Sequence, residues 1–151
     1  MAKEKFSEVT CHAWAMLVLR LVLGSIFIAH GGQKVLGLFG GPGLEGFVAW
    51  ASTIGLPVWL AYMAACAEFI GGILMFLGIA VELGALLTIP VMVGAVVLVH
   101  WHNGYFFQYG GFEYPLNLIF LALAVIIGGP GVGVLWDPFK ECRTAICKWL
   151  K

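Results

Sequence analysis

The sequence predicts an all-α membrane protein: a four-transmembrane-helix bundle with a short C-terminal amphipathic interfacial helix, forming one integral membrane domain over residues 1–151. Three observations predict it. Of 151 residues, 62% are hydrophobic and 11% charged, with a mean hydropathy of +1.00, against roughly 45 to 50% apolar and 25% charged in a soluble domain. One small core cannot bury that much apolar surface, so lipid is part of the solvent. Charge is also segregated. Lys3, Lys5, Arg20, Lys140, Arg143, Lys148 and Lys151 lie toward the two termini, Lys34 is the one other basic residue, and between Val35 and Trp136 the charges are Glu45, Glu68, Glu82 and Glu113. Finally, four continuously apolar stretches each approach the roughly 20 residues that a helix needs to cross about 30 Å of hydrocarbon.

The first stretch, about 13–33, is interrupted by Arg20 and lacks a small-residue cleavage pattern, so it is expected to stay attached and span. The second, about 57–80, carries Glu68 as its sole charge; the third, about 83–100, carries none. The fourth, about 114–129, fades at Gly128-Gly129-Pro130-Gly131 and is the shortest. Four spans put both termini on one side, and the Lys and Arg excess there makes that side cytoplasmic. The expected connections are a long outer one over about 31–56, a tight inner turn around Glu82, and an outer loop over about 100–113. In the tail, 138–151, Phe139, Cys142, Ile146, Trp149 and Leu150 recur at helical spacing with basic residues on other faces, the pattern of a helix lying on anionic lipid. Cys142 and Cys147 point about 140° apart on such a helix and make a poor disulfide. Terminal basic residues without an aromatic-studded groove exclude a nucleic-acid role.

Ionisable residues inside a span are costly and face a bundle interior or a wet cavity, which makes them site candidates. Glu68 is flanked at helical spacing by Ala61, Ala64, Ala65, Gly71 and Gly72, so its face admits a close neighbouring helix. At about 1.5 Å per residue, Glu68 lies roughly 16 Å from the outer start of its helix and Arg20 roughly 9 Å above the inner start of the first. A buried Arg20–Glu68 ion pair is the structural expectation. The functional expectation is a hollow opening outward, with Glu68 at its floor and His30, His100 and Glu113 at its rim, where imidazoles and carboxylates suit proton-coupled chemistry. Glu113 and Asn117 share a face at the mouth of the fourth helix. Trp101, Tyr105, Phe106, Phe107, Tyr109, Phe112 and Tyr114 read first as an interfacial aromatic belt and second as walls of a slot for a ring-shaped lipid. No phosphate loop, nucleophile elbow or metal-ligand spacing occurs.

Arg20-Leu21 with Gly24 and Phe27, His30-Gly31 with Lys34 and Gly37, Ala67-Glu68 with Gly71-Gly72, and His100 with Gly104, Phe106 and Gly110-Gly111-Phe112-Glu113-Tyr114-Pro115 follow one another in an order that resembles the DoxX-like family of small integral membrane proteins. The resemblance runs from about Leu17 to Gly131. It implies a four-helix bundle of the inner membrane tied to redox metabolism, the family name being shared with a subunit of a thiosulfate to quinone oxidoreductase.

Together with that resemblance, the intramembrane charges point to a redox-associated subunit with a quinone-type or small-molecule pocket on the outer side, and leave open whether the chain is itself catalytic. Glu68, His30 and Glu113 are the candidate proton-handling residues, and Arg20, Lys34, His100, Phe106 and Tyr114 the candidate cofactor-binding ones. Quinone is the first cofactor reading. Haem b, ligated by His30 and His100, is a lesser one. Expected partners are the bilayer, other membrane or redox subunits, and further copies of this chain. A non-catalytic anchor for partner proteins is the alternative, followed by a haem-binding or small-solute transport protein.

Overall fold

The computed structural model describes residues 2–141 and Arg143, with side chains from Thr10 onward. Of the expected amphipathic tail, 138–151, residues 138–141 and Arg143 are described, while Cys142 and residues 144–151, Cys147 among them, lie outside the described residues. Five α-helices follow in order: α1 (Ala2–Leu36), α2 (Gly43–Thr53), α3 (Val58–Leu77), α4 (Val81–Gly94) and α5 (Glu113–Gly128). Among the described residues there is no strand, only an isolated bridge between Ile79 and Trp136. α4 runs on through a π turn, Ala95–His100, and a short 3-10 turn, Trp101–Asn103. Among the described residues, three helical stretches are long and apolar enough to cross a membrane: Thr10–Leu36, Val58–Leu77 and Val81–Asn103. The fourth expected span is shorter, the 16 residues of α5.

α1 packs on α3, α3 on α4, α4 on α5, and α5 back on α1. The enclosed core holds Met16, Leu23, Phe27, Met75, Val81, Ala85, Met92, Leu118, Ala122 and Val125. α1 and α3 run antiparallel at backbone contact. A methyl group on Gly31 would come within 2.6 Å of the Phe69 backbone, one on Gly72 within 2.6 Å of the Ile28 nitrogen, and one on Gly24 within 2.8 Å of the Phe76 nitrogen. α3 and α4 meet in the same way at Gly71 and Gly84. Small residues on helix faces let backbones approach where lipid supplies no hydrophobic drive between helices.

Two departures from the sequence reading shape the molecule. The connection expected over about 31–56 is not a simple loop, because α1 continues to Leu36 and α2 occupies most of the remainder. α2 buries Phe47, Val48 and Ala51 against Ala61 and Ala65 of α3, a small second core. At the opposite end, α3 stops at Gly78, whose φ of 72° is the left-handed conformation that lets the Ile79 amide bond back to the Leu74 carbonyl at 2.9 Å. The chain after α5 returns over this turn. The Ala80 amide donates to the Trp136 carbonyl and the Leu135 amide to the Gly78 carbonyl, both at 2.9 Å.

Candidate functional site

Arg20 and Glu68, expected to pair with each other, are each 1% exposed and do not meet. Helical side chains lean toward the N-terminus of their own helix. On antiparallel α1 and α3 that lean carries Arg20 and Glu68 toward opposite ends of the bundle. In the register set by Gly24, Gly31 and Gly72, Arg20 stands level with the turn after α3. Its guanidinium donates to the carbonyls of Met75 (2.9 Å), Phe76 (3.1 Å), Val132 (2.9 Å) and Gly133 (2.6 Å). Four of its five N–H groups are thereby used. Two of the acceptors belong to the last turn of α3, whose carbonyls have no intrahelical partner and carry the negative end of the helix dipole. Arg20 thus clasps the end of α3 to the segment that follows α5.

The same lean brings Lys34 down α1 and Glu68 up α3 into an ion pair. Glu68 is buried, while the Lys34 side chain is 24% exposed and its ammonium also lies 5.2 Å from the centre of the Phe47 ring on α2. Lys34 thus ties three helices together at one point. Charge counting along the sequence could have found this pairing, since Lys34 is the one cation between Arg20 and Lys140.

Lys34 opens onto a cleft of about 560 Å³ walled by α2, α3 and α4. Its lining is almost wholly apolar, with Trp50 from α2, Met63 and Ala67 from α3, and Leu87, Pro90 and Leu98 from α4 and the π turn. The cleft exists because α3 and α4 are pinned at Gly71 and Gly84 and leave room nearer the Lys34 end, where α2 partly fills the gap. Pro90 removes one amide from the α4 ladder, and the wider π turn follows at Ala95. His100, the last residue of that turn, also lines the cleft. Its Nδ1 donates to the Gly110 carbonyl at 2.6 Å.

The remaining candidates gather elsewhere. A second cavity, of about 550 Å³, is lined by Phe106, Phe107, Gln108, Glu113, Tyr114 and Asn117. This brings Glu113 and Asn117 together as their spacing predicts. Glu113 accepts a hydrogen bond from the Phe107 amide at 3.0 Å and so braces the loop that forms the cavity wall. His30 is exposed and faces the Tyr114 hydroxyl, 3.4 Å from its Nε2. The single hollow expected above Glu68 is therefore divided: His100 lines the first cavity, Glu113 the second, and neither lining includes Glu68 or His30. Tyr114, whose ring packs against the main core, lines the second cavity. Trp101 stacks on Phe112 with ring centres 5.3 Å apart, and Tyr105 meets Phe112 edge-on. Trp101, Tyr105, Phe106, Phe107 and Tyr109 remain exposed, as an interfacial belt would be. Among the described residues no three His, Cys, Asp or Glu side chains cluster in a way that could hold a metal ion.

The sequence reading did not single out Trp50, Pro90 or Gly94 of the cleft. The turn residues Gly41-Pro42 and Gly55, bracketing Phe47, Val48 and Ala51 at helical spacing, are the signal that could have exposed α2.

Comparison with known proteins now adds to this geometry. The family model described as DoxX matches residues 15–101. A Bacillus subtilis (strain 168) protein named "Putative oxidoreductase CatD" is 35% identical over 109 residues, which cover 72% of this chain and 76% of that protein. No solved structure matches the chain. The chain belongs to the DoxX family.

Proposed function

We propose that this DoxX family member is a redox-associated subunit of a bacterial inner membrane, and that the cleft between α2, α3 and α4 holds a quinone-type lipid-soluble molecule. One observation carries the reading: a ligand-sized apolar cleft within the membrane-spanning part has at its wall a lysine paired with a buried glutamate. Ligand sites are commonly apolar hollows of about 300–1,000 Å³ with a few placed polar groups. An intramembrane ion pair beside such a hollow offers a hydrogen-bond donor and a group able to exchange a proton with a bound redox lipid. The oxidoreductase name of the Bacillus relative supports the redox part. In this reading α5 is a fourth span, tilted little because it is short, and the Lys and Arg excess places the Arg20 end in the cytoplasm and the cleft on the outer side. Electron-transferring partner subunits bind at exposed faces.

Gly94 supplies the test. It lines the cleft, and a methyl group added there meets nothing within 4 Å. Gly94→Leu therefore starts its side chain in open space along the cleft, and replacing a helical glycine adds about 0.5 to 1 kcal/mol of stability. A short-chain quinone is expected to raise the melting temperature of the detergent-solubilised protein, and that rise is expected to vanish in Gly94→Leu although the variant itself melts no lower. An equal rise in both proteins would move the ligand out of the cleft.

A further inference from the structure

Lys34 and His100 in the lining of the cleft differ in what they can offer a ligand, and the difference specifies the ligand's head. The Nδ1 of His100 meets a carbonyl oxygen, which only accepts, so Nδ1 carries the proton. In the neutral ring Nε2 is then an acceptor, and no hydrogen bond to it occurs among the described residues. Lys34 is the opposite: its ammonium spends one donor on Glu68 and keeps two. The charge of Lys34 is balanced by Glu68, so the cleft as a whole presents a neutral pair to its contents. An anionic ligand would find no uncompensated cation there and would lose its hydration on entering an apolar hollow.

Resting on the reading of this cleft as a quinone-type site, we infer that it selects the reduced, hydroxyl-bearing form, a neutral quinol, over the oxidised quinone and over a fatty-acid anion. His100 Nε2 accepts from one hydroxyl of the head, and Lys34 donates to the second oxygen. A quinone carbonyl satisfies Lys34 but leaves His100 facing an acceptor. His100 is part-buried, and a polar group that a bound head cuts off from water without giving it a partner is penalised, which is where discrimination against an analogue lacking the hydroxyl comes from. The alkyl tail lies along Leu87, Pro90 and Met63.

The test uses the full chain in detergent micelles under anaerobic conditions, titrated calorimetrically with four probes: decyl hydroquinone, its dimethyl ether, decyl benzoquinone and laurate. The hydroquinone is expected to bind about tenfold tighter than either its ether or the quinone, the worth of one good hydrogen bond. In His100→Phe the ratio is expected to fall to within about twofold, with the affinity for the ether little changed. The wild-type ratio tests the inference without any variant. Equal binding of hydroquinone, ether and quinone overturns it while leaving the cleft as a quinone-type site. Tighter binding of laurate than of the hydroquinone overturns the neutral-head argument. Failure of all four to bind overturns both this inference and the reading of the cleft on which it rests.

Discussion

Arg20 and Glu68 are equally buried charges in one bundle, yet the two ends of the molecule treat them differently. At the Arg20 end the chain closes on the charge. Four carbonyls from two segments converge on the guanidinium, Gly78 leaves room for it, and Arg143 pairs nearby with Glu82 and, at 2.5 Å, with Asp137. At the Lys34 end the buried carboxylate has a partner that is itself partly exposed, beside a cleft and below a rim of exposed aromatic rings. A charge whose donors are nearly all satisfied within the protein holds structure together. A charge whose partner keeps spare donors facing a hollow is available to a ligand. Burial alone does not separate the two roles, whereas accounting for each donor and acceptor does.

Substitutions can break this contrast, and the largest effect is expected at the clasp. Arg20→Leu strips four buried or part-buried carbonyls of their donor at once, and loss of such a charged network costs about 3 to 5 kcal/mol. The variant is expected to aggregate on detergent extraction or to melt far below the parent in a thermal-aggregation assay. Melting near the parent's temperature would show that water can replace the guanidinium. Next is the α1–α3 contact: Gly72→Val forces a branched side chain into the Ile28 backbone and is expected to cost about 1 to 3 kcal/mol by overpacking, read as a lower melting temperature.

Smallest is Glu68→Gln. The amide keeps the shape, and Lys34 can redirect its ammonium toward the headgroup region, so the loss is expected to be about 1 kcal/mol. The thermal shift produced by a quinone is nevertheless expected to fall several-fold relative to the parent. If Glu68→Gln destabilised as much as Arg20→Leu while ligand response per folded molecule stayed intact, the pair would be a second clasp and the contrast would collapse.

The long apolar helices and their order were legible in the sequence because continuous hydropathy and breaks at Gly-Pro need no tertiary information. The burial of Glu68 was legible too, since Ala61, Ala64, Ala65, Gly71 and Gly72 mark a face made for close packing, and all but Ala64 are buried. Its partner was misread for a physical reason. Counting rise per residue locates backbones, but the direction in which a long side chain leans decides which of two cations it meets, and the lean favours Lys34 by its sign. α2 was hidden inside a stretch read as loop because only Phe47, Val48 and Ala51 face inward over its 11 residues. The cleft itself depends on where α3 and α4 part, which Pro90 and the π turn set through backbone geometry that no residue pattern spells out.

The central claim is that the ligand of this membrane protein lies in the cleft between α2, α3 and α4. Photoaffinity labelling with an azido-substituted, tailed quinone, followed by peptide mapping, tests it most directly. The account predicts label on Trp50, Met63 or Leu98, competed away by unmodified quinone and absent in Gly94→Leu. Label confined to residues 106–117 or to the exposed Phe120, with the cleft residues unmarked, would contradict it.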